Sequence, residues 1–558
     1  MKLQSFSVEN YKIFKENFTL NINESSIVIL TGRNNTGKST LLEAINWFFK
    51  KETKSNTIPI DCYTDEGKEI IFRGKFGFGE ESFTFTKKYS NGSTPKFFDD
   101  QGIEIKASHQ LRANLDVILS NDPFYITPAM SIDDLNSQVQ NIYSEATKNK
   151  IQEIENATFE DEDVSEEHKL KKEYEELKLS IPKFVTSLKK TLDESLRLVS
   201  GQVSVALQRL FSNDSISLKI SGGESGGISS SEIVKSMKSN LFINQDERSD
   251  MHLSNQGTGL QRMTLIYLIQ NMIDNNLIGN RDDKMLLIDE PEAFLHPEAV
   301  RALSDSLYQI GREMPLIIST HSPILINLEE RHTSIQIFRV GQSDAIELYK
   351  SDTEKFDDDD FKNLKILNYV DSYVNEFFFA DNILIVEGDT EYIAFNQLVK
   401  MNKDNLHIIR AKGKSTVATL MKILNQFQTK YTVLHDSDNN PDFSISTLRA
   451  QLTNCKSIFA NSINEDVNIY SSVHTFEVAL GLGSISGSNK TRKIYEIMND
   501  DSVDTEISLA KEKIKSVYNV ILCNNEERTL PDGFHKIETI EDYERLFNPM
   551  IEAMVEQA

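Results

Sequence analysis

At 558 residues the chain is too long for one compact core, so two or three domains are expected. A hydrophobic content of 39% with 9% aromatics fits a globular protein and argues against wholesale disorder. The formal charge of −25 excludes a wholly basic protein that coats a duplex, and no apolar run reaches the roughly 18 residues of a membrane helix.

In chain order, residues 2–8 and 18–22 alternate like strands, and Ile27–Leu30 is a short apolar run of the kind found in a buried sheet. The start of the chain carries no apolar signal-peptide core. A glycine-containing turn follows the apolar run, then a helix from about Lys38 to Lys50. Residues 67–89 alternate again and predict a β-meander. From 131 to 212 strand signals vanish, and Leu170, Tyr174, Leu177, Phe184, Leu188, Leu192 and Leu196 recur at helical spacing among Glu and Lys. This is read as a helical insertion and candidate dimerisation element, with Pro182 breaking the pattern. Mixed α/β character returns over 213–350, an acidic linker spans 351–380, and a second α/β unit occupies 381–558. Much of the acidic excess falls in Glu160–Asp163 and Asp357–Asp360, read as solvated loops. Cys62, Cys455 and Cys523 lie far apart without metal-ligand spacing, which suits a reducing, cytoplasmic setting.

The turn after the apolar strand, Gly32-Arg33-Asn34-Asn35-Thr36-Gly37-Lys38-Ser39, matches the phosphate-binding pattern G-x-x-x-x-G-K-[ST]. Its glycines let backbone N–H groups from Gly32, Asn34, Asn35, Thr36 and Gly37, with Thr40 beyond, wrap ATP phosphates at a helix N-terminus. Lys38 would reach the β- and γ-phosphates, and Ser39 would bind Mg²⁺. Downstream, Met285–Glu290 is a buried strand ending in two carboxylates. Asp289 would hold Mg²⁺ through water, and Glu290 would polarise the attacking water. Leu316–Ile318 leads to His321, placed to touch the γ-phosphate.

The order of these pieces resembles the ABC-ATPase family, in the branch that holds RecF, SMC and OLD (overcoming lysogenization defect) proteins. Leu253–Arg262 occupies the place of that family's signature segment but departs from L-S-G-G-Q. Ser254, Gly257 and Gly259 are its candidate ATP contacts. Asn10–Phe14 resembles the family's N-F-R-x-F segment, with Lys12 replacing the arginine. The resemblance covers about residues 1–345 and implies a RecF/SMC-like ATPase fold. It also implies ATP sites completed by a second copy, in a dimer or larger homo-oligomer.

Further on, Ile383–Val386 delivers Glu387 at a glycine turn, and Tyr431–His435 ends in Asp436-Ser437-Asp438. Carboxylates at the C-terminal ends of parallel strands converge, and hard oxygen ligands suit Mg²⁺ or Mn²⁺. Two such ions can activate water and stabilise the leaving oxygen of a phosphodiester. The pair resembles the Toprim domain of topoisomerases, primases and OLD-family nucleases. That resemblance carries over Glu387, Asp436 and Asp438 as metal ligands, with Glu391 as the second glutamate of E-G-x-x-E and Ala411–Lys414 as the small glycine-lysine turn. Glu477 is a further candidate ligand, and Lys490 a candidate stabiliser of transition-state charge.

An ABC ATPase followed by Toprim is the OLD arrangement, related to the Gabija nuclease subunit. It implies an ATP-regulated DNA endonuclease or nickase in prokaryotic antiphage defence, with a helicase-like or other defence protein as a candidate partner. Two other readings stay open: an ATP-driven DNA clamp or sensor with an idle Toprim domain, and a topoisomerase or primase.

Overall fold

The computed structural model describes residues 2–22, 26–32, 35–128, 134, 136–137, 139–140, 142–144, 146, 166–211, 213–222, 239–245, 248–275, 277, 284–326, 335–341, 345–350, 376–377, 379–380, 382–425, 431–462, 467–485, 487, 489–499, 505–523 and 529–557. Most of the acidic linker, including Asp357–Asp360, lies outside them, as does Glu160–Asp163. The chain divides into two compact units, Met1–Leu325 with Ser334–Ala345, and Ile326–Thr333 with Ile346–Ala558.

In the first unit β1 (Lys2–Glu9), β2 (Phe18–Asn21), β4 (Ile70–Phe78), β5 (Glu81–Tyr89) and β6 (Lys96–Phe98) form an antiparallel sheet ordered β2-β1-β4-β5-β6. Its apolar face packs on helix α1 (Lys38–Phe49) through aromatic rings. Phe48 stacks on Phe76 at 5.7 Å and meets Phe6 and Phe97 edge-on at 5.9 and 5.4 Å. Each such pair contributes about 0.5–1.5 kcal/mol beyond area burial.

The other end of α1 is closed from the same sheet. The fully buried Lys87 donates to the carbonyls of Trp47 (2.8 Å), Phe48 (3.0 Å) and Lys50, and the Tyr89 hydroxyl donates to Trp47 (2.8 Å). A cation on the last carbonyls satisfies them and complements the helix dipole. Burial pushes the Lys87 ammonium well below its ordinary pKa.

A second sheet has the order β14-β13-β3-β12-β11-β7, from Ala345–Lys350, Ile335–Val340, Ile27–Thr31, Leu316–Ser319, Leu286–Asp289 and Phe124–Ile126. Strands β13, β3, β12, β11 and β7 run parallel. Every residue of β3, β11 and β12 is buried, as expected for strands covered on both faces. Parallel register sets Asp289 opposite Ser319 and Ser319 opposite Leu30, so the ends of β11, β12 and β3 share one edge.

After α2 (Arg112–Ser120) comes α3 (Glu166–Phe211), 46 residues long and continuous through Pro182, where the sequence pattern predicts a break. Proline removes one N–H and one hydrogen bond, and the turns on either side carry the helix across. Leu192, Leu196, Val199, Val203 and Leu207 bury at helical spacing into the unit's core. They join residues of α4 (Thr258–Asp274) and α5 (Pro297–Glu313) there, and β8 (Ser217–Gly222), β9 (Ser239–Gln245) and β10 (Arg248–His252) form an antiparallel sheet ordered β10-β9-β8 in the same unit.

The second unit holds a sheet ordered β16-β15-β17-β18-β19, from His407–Arg410, Ile383–Val386, Tyr431–Asp436, Val467–Ser472 and Phe534–Ile537. Strands β16, β15, β17 and β18 are parallel, and β19 is antiparallel. Helices α6 (Asp389–Asn402), α7 (Lys414–Leu424) and α8 (Ile445–Ala460) follow β15, β16 and β17 in turn. Ile383–Val386 is buried throughout, so the chain leaves this strand at Glu387 on the sheet's C-terminal edge. Beyond β18 come the short α9 (Phe476–Ala479), then α10 (Asn489–Asn499), α11 (Thr505–Cys523) and the last helix, α12 (Ile540–Gln557). Cys62 and Cys455 are free thiols, the latter buried. Among the described residues no helix is long and apolar enough to cross a membrane.

Candidate functional site

The turn between β3 and α1 is held by sterics. Gly32 and Gly37 have φ of 132° and 101°. A Cβ would lie 2.7 Å from the Val340 carbonyl oxygen at Gly32 and 2.5 Å from the Phe14 ring at Gly37, so glycine is required at both. Phe14 thus packs against the turn, which gives the Asn10–Phe14 segment a role beneath the P-loop. Lys12 of that segment lies against α1 with its ammonium paired to Glu43. Asn35 and Ser39 are exposed, Thr36 and Thr40 half-buried, and Asn34 lies outside the described residues. Lys38 is buried and donates to the Gly32 carbonyl at 3.1 Å. Burial lowers its pKa to about 8 against the pull of Glu290, Asp289 and Glu292.

The opposite wall comes from β11 and β12. Ser319 donates to the buried Asp289 carboxylate and fixes it. Glu290 sits at φ 44° with its N–H on the Ser319 carbonyl at 2.9 Å, and its carboxylate lies 3.8 Å from His321 Nε2. Burial, followed by the Lys38 charge, holds the His321 pKa below its usual value, so the ring is neutral at pH 7. The structure therefore gathers Lys38, Asp289, Glu290 and His321 into one neighbourhood. It adds two residues that sequence reasoning passed over. Glu292, its pKa raised by burial, accepts from Thr320 Oγ1 (2.8 Å) and the His321 N–H (2.7 Å), tying the histidine's backbone to the Pro291–His296 segment. Ser319 is the other.

In the signature segment Ser254 lies in a short 3₁₀ turn, and Gly257 caps α4 in extended conformation. Gly259 faces the Phe294 carbonyl, which a Cβ would approach to 3.1 Å. From the first turns of α4 the buried Arg262 donates to the carbonyls of Asp289 (3.1 Å), Ala293 (2.9 Å) and Glu290. One guanidinium thus connects the signature helix to the backbone that carries both acids.

In the second unit, Glu387, Glu391, Asp436, Glu477 and Lys490 line one cavity of about 490 Å³. Each acid is fixed by a local contact. The Asp436 N–H donates to Glu387 at 3.1 Å, and Ser472, paired with Asp436 across β17 and β18, donates to the Asp436 carboxylate. Glu391 accepts from Thr390 Oγ1 at 3.0 Å and folds back over Gly388, where a Cβ would lie 3.1 Å from its oxygen. Glu477 is buried and pairs with Lys490 at 3.1 Å. Asp438 does not line this cavity. It follows the end of β17 at φ 55°, and its carboxylate pairs with the buried Lys414, which also donates to Gln451 (3.2 Å) and the Ser437 carbonyl (3.4 Å).

Burial and mutual repulsion raise Glu387, Glu391 and Asp436. Asp436 is pushed well above the carboxylate range by burial and then by Glu391 and Glu387, and Glu391 reaches about 7. Burial also raises Glu387 against the opposing Lys414 charge. A divalent cation relieves this repulsion, and the set is all hard oxygen. Among the described residues no three acids stand close enough to clasp an ion directly, so they frame the cavity rather than meet at a point. Lys414, Ser472 and Thr390 were not singled out as site residues by the sequence reading. Ser472 meets Asp436 through cross-strand register, which no motif spacing marks.

Comparison with known proteins agrees with this geometry. Residues 378–438 match the family model described as overcoming lysogenization defect protein-like, TOPRIM domain. Residues 27–327 match an AAA-domain model whose description also names AbiEii toxin and the type IV TA system. The Old nuclease of Escherichia phage P2 is 23% identical over 550 residues, covering 89% of each chain. Similar solved structures include the SMC head domain from Pyrococcus furiosus with an extended coiled coil, bound to the C-terminal domain of ScpA. It is 12% identical with a TM-score of 0.40, over 66% of this chain and 99% of that one. Another is the recombination mediator RecF, 12% identical with a TM-score of 0.37, over 62% of this chain and 98% of that one. With half the chain matching the AAA domain and an OLD-like Toprim domain behind it, this protein belongs to the overcoming-lysogenization-defect family of ATPase–Toprim proteins.

Proposed function

We propose that the chain is an ATP-controlled, divalent-metal-dependent DNA endonuclease or nickase, in whose cavity Glu387, Glu391, Asp436 and Glu477 would hold Mg²⁺ or Mn²⁺ in part through water. The observation that carries this reading is one cavity lined by five carboxylates, those four and Asp389, with Arg410, Lys412 and Lys490. Bound there, the ions supply water activation and charge neutralisation at a phosphodiester. The chain's own residues prepare the site. Ser472 fixes the Asp436 carboxylate, and Lys414 holds Asp438 beside the strand end. Glu477 holds Lys490, whose ammonium burial would lower but whose acidic neighbours keep it charged, at the rim where backbone phosphate enters.

In the first unit Lys38 would grip the β- and γ-phosphates of ATP, Ser39 and Asp289 would hold its Mg²⁺, and Glu290 beside neutral His321 would orient water. Contacts from Ser254, Gly257 and Gly259 of a second copy would complete that site in a homo-oligomer, so that nucleotide state controls cutting. The relative named Old nuclease supports the nuclease reading, and antiphage defence in the cytoplasm is the setting that this reading proposes.

The test is plasmid nicking with Mn²⁺ or Mg²⁺. Asp436→Ala is expected to abolish cutting, and Lys38→Ala to alter mainly its nucleotide response. Cutting that survives Asp436→Ala would remove the basis of the metal-site assignment.

A further inference from the structure

The three cations that line the acid cavity of the second unit differ in how their charge is committed. Lys490 pairs with Glu477, and Arg410 pairs with Asp389 at 2.6 Å while its guanidinium lies 5.5 Å over the Tyr392 ring. Lys412 lines the same cavity and is exposed, and among the described residues no acid pairs with it. Its backbone is left-handed at φ 62°, and Gly413 follows at φ 134°. That region disfavours a residue with a Cβ and admits glycine freely. The turn is clamped at both ends. The Ala411 N–H donates to the Val386 carbonyl at 2.8 Å, and the Val417 N–H donates to the Gly413 carbonyl at 3.1 Å in the first turn of α7. A Cβ on Gly413 would meet nothing within 4 Å, so no described protein atom covers the turn at that point. The chain thus carries an ammonium where the backbone suits glycine, although no charge partner among the described residues requires it. Five carboxylates repel a polyanion, so a strand that approaches this cavity needs positive contacts on its backbone. Among the described residues, Lys412 is the lining cation that can make such a contact without first leaving an ion pair.

We infer that Lys412 is a substrate-binding residue of this cavity. Its ammonium contacts a backbone phosphate of the nucleic acid that flanks the phosphodiester to be cut, an assignment that rests on the nuclease reading. Duplex DNA binding by the full-length chain tests it, measured by anisotropy of a labelled 30-base-pair duplex across a NaCl series. Asp436→Ala is the parent throughout, so that the probe stays intact. Adding Lys412→Gly deletes the ammonium and suits the left-handed turn, so this protein should melt no lower than its parent. It is expected to bind DNA about tenfold more weakly and to lower the slope of log K against log salt by about one. Lys412→Arg keeps the charge and should bind within about twofold of the parent. Lys403→Gly is the matched control. Lys403 is exposed in the same unit at φ 58°, at the end of α6 remote from Asp389, and does not line the cavity. Its replacement loses the same charge and eases the same backbone conformation, yet affinity and slope should stay at the parent's values.

Equal affinity and slope for the parent and the Lys412→Gly protein overturn the assignment and leave the nuclease reading standing. An equal loss in the Lys403→Gly protein does the same, since it reduces the effect to net charge. A Lys412→Gly protein that melts well below its parent would assign the side chain to the fold instead. Absence of DNA binding by the parent overturns both readings. Inorganic phosphate is the second probe, against NaCl at matched ionic strength. If it raises the melting temperature of the parent but not of the Lys412→Gly protein, while DNA affinity ignores Lys412, the ligand is free phosphate and the nucleic-acid assignment fails.

Discussion

Glu290 occupies a left-handed backbone conformation at φ 44°, and the carbonyls on either side of that bend are held by one side chain, Arg262. A buried guanidinium with three carbonyl acceptors cannot be replaced by an ammonium without leaving polar atoms unsatisfied, since lysine has neither the planar fork nor its reach. Arg262 is thus a positioning residue for the acid beside Lys38. Losing one or two such charge-assisted bonds costs about 1.5–3 kcal/mol each, which corresponds to a rate loss of roughly 10- to 100-fold. Arg262→Lys is therefore expected to lower kcat for ATP hydrolysis by about that factor while KM for ATP moves little. Steady-state ATPase kinetics on the full chain measure both. A wild-type kcat, or a loss confined to KM, would show that the carbonyl contacts do not set the acid's position. The sequence alone placed Arg262 at the end of the signature segment without a role, because its partners lie 27, 28 and 31 residues away.

At the scale of elements, the last helix has a task that its sequence does not announce. His435 Nδ1 lies 2.8 Å from the Asp436 carbonyl, which can only accept, so Nδ1 carries the proton and Nε2 accepts from the Tyr543 hydroxyl at 2.7 Å. Burial, followed by the Lys414 charge, holds this histidine neutral with a pKa near 3. Asn439 donates to the Leu546 carbonyl at 2.9 Å and accepts from Ser437, so α12 grips the D-x-D turn on both sides. Removing the hydroxyl strands a buried ring nitrogen, and supports of this kind change metal affinity by about 10- to 100-fold. Tyr543→Phe should weaken Mn²⁺ binding about tenfold by calorimetry and leave nucleotide affinity unchanged. Unaltered Mn²⁺ affinity would reduce α12 to a packing element.

These two helices mark where sequence reading stops. The strands at 27–31, 286–289, 383–386 and 431–436 were legible because largely apolar runs end in glycine or acid, and the acids at those ends were legible with them. Pro182 misled, since one missing hydrogen bond is a local cost that a 46-residue helix absorbs. Tyr543 was invisible because it stands 108 residues from the histidine it serves, and nothing in helical periodicity separates it from an ordinary core tyrosine. Asp438 was legible as a strand-end acid, but its pairing with Lys414 depends on how α7 lies beside β17.

For the whole molecule, 85 acidic against 60 basic side chains set a background of self-repulsion, concentrated where Glu387, Glu391 and Asp436 face one another with raised pKa values. Without metal, each buried carboxylate in that group opposes folding at neutral pH. With metal, the same group favours it, by about 2.7 kcal/mol when the free ion stands at 100 times its Kd. Asp436→Asn keeps an oxygen for the Ser472 hydroxyl while deleting the charge. It is therefore expected to melt higher than wild type in EDTA, by a few degrees, and to lose the rise that Mn²⁺ gives the wild type. Lys38→Ala, which touches only the first unit's site, should keep the full Mn²⁺ rise in the absence of nucleotide. Calorimetric scans of the three proteins with EDTA and with Mn²⁺ separate these cases. An Asp436→Asn protein that melts below wild type in EDTA would mean that the carboxylate is held by attractions stronger than the repulsion of its neighbours. A Mn²⁺ rise that persists in that variant would move the ion away from the end of β17.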